Sequence, residues 1–123
     1  MAVVRILVVD DFRLWHNAVT TILGANPELR VISTALSGRE ALGKVERLAP
    51  DLVLLDVEMP EMDGIQVAYQ IRRVAPATRI IFLSGTDSME IIERAMEAGA
   101  CGYVHKMNAR FNLIPAIQAA MTR

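Results

Sequence analysis

Three aspartates in this chain stand directly after apolar runs: Asp10 and Asp11 after residues 3–9, and Asp56 after Leu52-Val-Leu-Leu55. Ser84 closes a fourth such run, and Lys106 lies just beyond a fifth. Three carboxylates brought to one place repel one another and raise each other's pKa. A divalent cation relieves that repulsion. Hard Mg²⁺ suits carboxylate and carbonyl oxygens and keeps some waters for a phosphate. Lys106 is one of only two lysines among thirteen basic residues and supplies a compact positive charge. Ser84 adds a neutral donor. Such a set is a Mg²⁺ pocket with cationic and hydroxyl donors aimed at a phosphoryl group. Phosphoryl transfer needs mainly positioning and charge neutralisation. One carboxylate can then act as nucleophile and become an aspartyl phosphate.

The elements that must position these residues follow from the hydrophobic pattern. Apolar runs at 3–9, 30–35, 51–56, 79–83 and 100–104 read as strands. Between them lie helical patterns at 12–23, from the Ser37-Gly-Arg-Glu40 capping box to 48, at 64–74 and from Asp87-Ser-Met-Glu90 to 99. A last helix occupies the region from about residue 109 to 121. Gly24, Asn26-Pro27, Ala49-Pro50 and Ala75-Pro76 supply the stops. The strands are apolar on both faces, which suits a parallel sheet covered by helices on both sides. Short connections and right-handed crossovers then give an α/β, doubly wound (βα)5 sandwich. Ligands in such sheets bind beyond the carboxyl ends of the strands. Asp10, Asp11, Asp56, Ser84 and Lys106 all fall at that edge, although they span nearly the whole chain.

Composition narrows the function classes. The chain has 123 residues, one domain's worth, so residues 1–123 are read as a single domain. Hydrophobic residues make up 53%, which excludes a disordered chain. A net charge of −1 leaves no electrostatic footprint for nucleic acid. The single cysteine, Cys101, permits no internal disulfide and fits a reducing cytoplasm. No apolar run approaches the roughly 20 residues that span a bilayer, and no cleavage-site pattern follows the first residues.

The motifs Ile6-Leu-Val-Val-Asp-Asp11, Asp51-Leu-Val-Leu-Leu-Asp-Val-Glu-Met-Pro-Glu-Met-Asp-Gly64, Ser84-Gly-Thr86 and Gly99-Ala-Cys-Gly-Tyr-Val-His-Lys106 resemble a response-regulator receiver domain. The match covers the full chain in the expected order. The resemblance implies a five-stranded parallel sheet of order 2-1-3-4-5, flavodoxin-like. It implies that Asp56 is the phosphoacceptor and that Asp11 and Asp56 bind Mg²⁺, with Asp10 acting mainly through water. The main-chain carbonyl of Glu58 is a further implied ligand. Ser84 and Lys106 would contact the phosphoryl oxygens, and Ser84 and Tyr103 would form the switch. Pro60 and Gly64 match the loop that shapes the pocket.

Other residues have plainer roles. Tyr103 fits half-buried packing as readily as a switch. Trp15 and the seven methionines are read as packing, and His16 and His105 as incidental. Asp63 is the expected N-cap of the third helix. Glu90, Glu93, Arg94 and Glu97 form a solvated helix face. Three features depart from the family. Glu58 puts a carboxylate where a neutral side chain is common, and its side chain is expected at the pocket mouth with Thr86. Met107 replaces the usual proline after the lysine, and the Lys106–Met107 bond is expected to be trans. Pro115 falls inside the last helical pattern. A start at Arg110 would put it at the sixth helical position, at a cost of about 3 kcal/mol. With Asn112 as N-cap, regular helix is expected only from about Leu113.

The leading function is a receiver of a two-component phosphorelay. A sensor histidine kinase or phosphotransfer protein would phosphorylate Asp56 in a Mg²⁺-dependent reaction. The change of conformation would then control a partner or output domain. Its catalysis would be limited to self-phosphorylation and self-dephosphorylation. Alternatives are a receiver-like scaffold that is never phosphorylated and an aspartyl-nucleophile phosphatase. The phosphatase motif Asp-x-Asp-x-Thr is absent after the first strand, where Asp10-Asp-Phe-Arg13 stands. A nucleotide or flavin site lacks its Gly-x-Gly-x-x-Gly turn. Residues 27–33 and 99–104 resemble receivers of the NarL/LuxR type, which carry a C-terminal DNA-binding domain. The chain ends where such a linker would begin, and an excised receiver is favoured over a stand-alone one. Direct nucleic-acid or membrane binding is not expected, and a phosphorylation-dependent homodimer is one form the output can take.

Overall fold

Val- and Ile-rich runs with no polar face to show to water form a parallel sheet buried from both sides. A computed structural model describes residues 3–122; residues 1, 2 and 123 of the expected single domain lie outside it. Its elements in chain order are β1 (Val4–Val9), α1 (Arg13–Leu23), β2 (Leu29–Ala35), α2 (Gly38–Leu48), β3 (Leu52–Leu55), α3 (Gly64–Val74), β4 (Arg79–Ser84), α4 (Met89–Glu97), β5 (Gly102–His105) and α5 (Ala109–Met121). A 3₁₀ turn, Lys106–Asn108, joins β5 to α5. All strand pairs are parallel and the order is 2-1-3-4-5, as expected.

Alternate strand residues feed two cores. On one face Leu7, Val9, Val53, Leu55, Ile80 and Phe82 pack with α2, α3 and α4 residues such as Val45, Ile71 and Ala95. On the other, Ile6, Val8, Leu52, Leu54, Ile81 and Leu83 pack with Val19 and Leu23 of α1 and Leu113 and Ile117 of α5. That is the period-two alternation of a strand, with both faces apolar. Among the described residues no helix is long and apolar enough to cross a membrane.

Several helix starts follow their local chemistry. Ser37 Oγ accepts from the Glu40 N–H at 3.2 Å, and Glu40 accepts in turn from the Leu36 N–H at 2.7 Å. Asp63 caps α3 as expected, accepting from the Gln66 N–H at 3.0 Å. The start of α4 differs: Ser88 rather than Asp87 is the N-cap, and its side chain makes no cap bond. β5 begins at Gly102 rather than residue 100. The Ala100 N–H still bonds to Ala95 of α4, and only from Cys101, whose N–H bonds to Ile80, does the backbone turn to the sheet.

The last helix corrects a third expectation. It begins at Ala109, not Leu113, and carries Pro115 in its interior. Proline there lacks an N–H for the Phe111 carbonyl, a loss of about 3 kcal/mol. The earlier start adds Ala109, at 1% exposure, to the core that holds Leu113 and Ile117. That packing, with the hydrogen bonds of the added turn, is set against the proline cost. Pro115 and Phe111 are exposed, which leaves the orphan carbonyl on the solvated side. Pro115→Ala is therefore expected to raise stability by about 1–3 kcal/mol, read as a higher urea midpoint. An unchanged or lower midpoint would show that the helix bears no proline cost.

Candidate functional site

The sheet itself fixes two of the acids. The Asp10 N–H bonds to the Ala35 carbonyl of β2 at 3.0 Å, and the Asp56 N–H bonds to the Val9 carbonyl of β1 at 3.0 Å. Both residues thus extend the ladder past the ends of their strands, where the order passes from β1 to β3. The side chains are then pinned locally. Asp10 Oδ1 accepts from the Phe12 N–H at 2.9 Å, and Asp56 Oδ1 accepts from the Glu58 N–H at 3.3 Å. Both aspartates are buried, at 3% and 4% exposure, while Asp11 is open to solvent.

Lys106 closes the cluster. Its Nζ lies 2.7 Å from Asp10 Oδ2 and 3.3 Å from Asp56 Oδ2. One oxygen from each of Asp10, Asp11 and Asp56 falls within 4.8 Å of the others. Three carboxylates against one ammonium leave a charge deficit that a divalent cation would fill. The hard oxygen donors and the open Asp11 side fit Mg²⁺ rather than a softer metal. Burial pushes the Asp56 carboxyl above its ordinary pKa. Lys106 pulls it back, the Asp10 carboxylate pushes it up again, and the Glu58 N–H favours the charged form.

The loop after β3 is shaped by close approach. The Gly64 N–H bonds to the Val57 carbonyl at 2.7 Å. A Cβ on Gly64 would stand 1.9 Å from the Asp56 carbonyl oxygen, so no side chain fits there. The Met62 N–H bonds to the Pro60 carbonyl at 2.8 Å across Glu61, whose φ is 70°. That is a γ-turn of the strained, positive-φ kind.

Ser84 and Tyr103 form a second group beside the acids. Ser84 is fully buried, and its Oγ accepts from the Thr86 N–H at 3.4 Å. The Tyr103 hydroxyl donates to the Thr86 carbonyl at 2.7 Å. Its ring stacks on Phe82, with centroids 6.2 Å apart. Burial raises the Tyr103 pKa; the nearby Ser84 hydroxyl opposes this, and the Asp56, Glu58 and Asp87 charges add to it. Tyr103 is thus tied to Thr86 of the β4–α4 loop, which in turn bonds Ser84. No peptide bond among the described residues is cis, so Lys106–Met107 is trans as expected.

Two residues read as packing or incidental belong to this site. The Trp15 ring centroid lies 5.0 Å from Lys106 Nζ. His16 is buried, with Nε2 2.8 Å from the Asp10 carbonyl oxygen. Both sit on the first turns of α1. Helical periodicity marks them only as inward-facing; their place above a strand end was the available signal.

Residues 6–118 match the response regulator receiver domain. The chain belongs to that family. The receiver is 33% identical to the NarL signal receiver domain of Mycobacterium tuberculosis, covering 100% of both chains with a TM-score of 0.91. It is 29% identical to the response regulator domain of Thermotoga maritima CheB, covering 98% of both, also at 0.91. Among curated proteins it is 43% identical over 105 residues to a protein-glutamate methylesterase/protein-glutamine glutaminase of Nocardioides sp., spanning 84% of this chain and 29% of that protein. The receiver therefore covers less than a third of that relative, and it is similar to receivers of both the NarL and the methylesterase type.

Proposed function

We propose that this receiver accepts a phosphoryl group on Asp56 from a phosphohistidine of a sensor histidine kinase or phosphotransfer protein. The observation that carries the proposal is the meeting of Asp10, Asp11 and Asp56 around one lysine, paired at 2.7 and 3.3 Å. An Asp56 carboxylate oxygen forms the new P–O bond as the donor's P–N bond breaks, and the imidazole nitrogen keeps that electron pair and takes a proton from water. Asp11, Asp56 and the Glu58 main-chain carbonyl would hold Mg²⁺, with Asp10 acting mainly through water, and the bound ion would neutralise charge on the phosphoryl oxygens. Lys106 contributes a positive charge that does not leave the site. Ser84 moves its hydroxyl to a phosphoryl oxygen, which competes with its bond from the Thr86 N–H. Loss of that bond loosens Thr86, whose carbonyl holds Tyr103, and with it the β4–α4 loop, a local charge event biasing a two-state element.

The Glu58 carboxylate lies close enough to Tyr103 to raise its pKa, in keeping with a place at the pocket mouth. Catalysis is confined to self-phosphorylation and its reversal by water. The switched surface controls a partner or a linked output domain, DNA-binding in the NarL-like case, and a phosphorylated homodimer is one form of that output. The setting is cytoplasmic, where the donor proteins present their phosphohistidines.

Incubation with acetyl phosphate tests the reaction without a cognate kinase. The protein is expected to gain one phosphoryl group by intact mass only when Mg²⁺ is present. Asp11→Ala should lower the rate by about 100-fold or more, as loss of a charge-stabilising group does. Incorporation that is equal with and without Mg²⁺ would contradict the proposed cation site.

A further inference from the structure

Lys106 is held by more than carboxylates. Its side chain is only 14% exposed, and Nζ meets Asp10, Asp56 and the face of the Trp15 ring. It donates a hydrogen bond to Asp56 Oδ2, while Asp10 and the ring face hold it by charge. Tryptophan is the strongest ring partner for a cation, and the attraction grows as water is excluded. The Met107 side chain does not brace it, being 84% exposed. Trp15 is half-buried in the α1–α5 core, so its ring is fixed by packing. The next residue, His16, holds the Asp10 backbone. One turn of α1 therefore positions both members of the shortest ion pair in the site.

We propose that Trp15 is a positioning residue for phosphoryl transfer, holding the Lys106 ammonium beside Asp56 through its ring face without touching the reacting atoms. The carboxylates that pair with Lys106 are those expected to turn toward a cation. A ring does not compete for that cation, so its hold on Nζ persists when the carboxylate oxygens are engaged elsewhere. This inference rests on the phosphoacceptor function proposed above.

The test compares Trp15→Leu and Trp15→Phe in the whole chain, alone and with Lys106→Met. Without any phosphodonor, ring current should move the Lys106 Cε protons upfield in the wild type and in Trp15→Phe, and not in Trp15→Leu. With acetyl phosphate and saturating Mg²⁺, Trp15→Leu should slow phosphorylation about tenfold and Trp15→Phe less than about threefold. In the Lys106→Met background Trp15→Leu should cost nothing more. A wild-type rate in Trp15→Leu, or the same tenfold loss without the lysine, would overturn the role. A wild-type chain that takes no phosphoryl group would overturn the underlying function, while the Lys106 shift would separately decide whether the ring holds the lysine.

Discussion

Lys106→Met is expected to lower stability by about 2–4 kcal/mol and to slow phosphorylation about 10- to 100-fold. The substitution keeps the length of the stem and removes only the charge. Asp10 and Asp56, both buried, then face each other with no ammonium between them. Burial already pushes Asp56 up, and Lys106 is the largest influence pulling it down. Without the lysine its pKa rises further. A carboxyl group raised in the folded state contributes stability below its unfolded pKa and loses it as pH rises through the folded value. The deficit of Lys106→Met should therefore be largest at neutral pH and shrink as the medium is acidified toward protonation of Asp56. Added Mg²⁺ should narrow it as well, because a bound cation replaces the missing charge. Urea melts of both proteins across pH, with and without Mg²⁺, read all three effects. A pH-independent deficit would mean that the lysine acts only through packing.

Gly64→Ala is the second large effect, with an expected loss of about 2–4 kcal/mol. The added Cβ would meet the Asp56 carbonyl oxygen at 1.9 Å, and the obstacle is backbone rather than a flexible side chain. Either α3 moves away from the sheet or the end of β3 is displaced. The first course breaks the 2.7 Å bond from the Gly64 N–H to Val57 and strips cover from buried Ile65 and Val67. The second moves Asp56 itself. The variant should thus combine a lower melting temperature with slower phosphorylation. Gly43→Ala is the control, because its Cβ would meet nothing within 4 Å. Alanine should be neutral or favourable there. Equal stability of the two variants would show that the α3–β3 contact yields at no cost.

The fold was legible because its signals agreed. Strands apolar on both faces called for a buried parallel sheet, and the cap at Asp63 and the stop at Ala75-Pro76 bounded α3 at Gly64–Val74 as observed. The acidic cluster was legible for a topological reason: in a parallel sheet all strand ends reach one edge, so distant aspartates had to meet. The start of α5 was not. Local chemistry at Asn112 and Pro115 favoured a late helix, and burial of Ala109 on a longer one prevailed. Trp15 and His16 were missed because periodicity says which face of α1 is inward but not that its first turn lies over Asp10 and Lys106. The tie of Tyr103 to Thr86 likewise needed side-chain direction, which spacing along a strand does not supply.

The most direct measurement is the identity of the modified residue. After incubation with acetyl phosphate and Mg²⁺, borohydride reduction converts an aspartyl phosphate to homoserine, which peptide mass spectrometry locates. Homoserine is expected at position 56 alone, and Asp56→Asn is expected to yield none at any position. Homoserine at Asp10 or Asp11, or undiminished phosphorylation of the Asp56→Asn protein, would contradict the assignment of Asp56 as the phosphoacceptor.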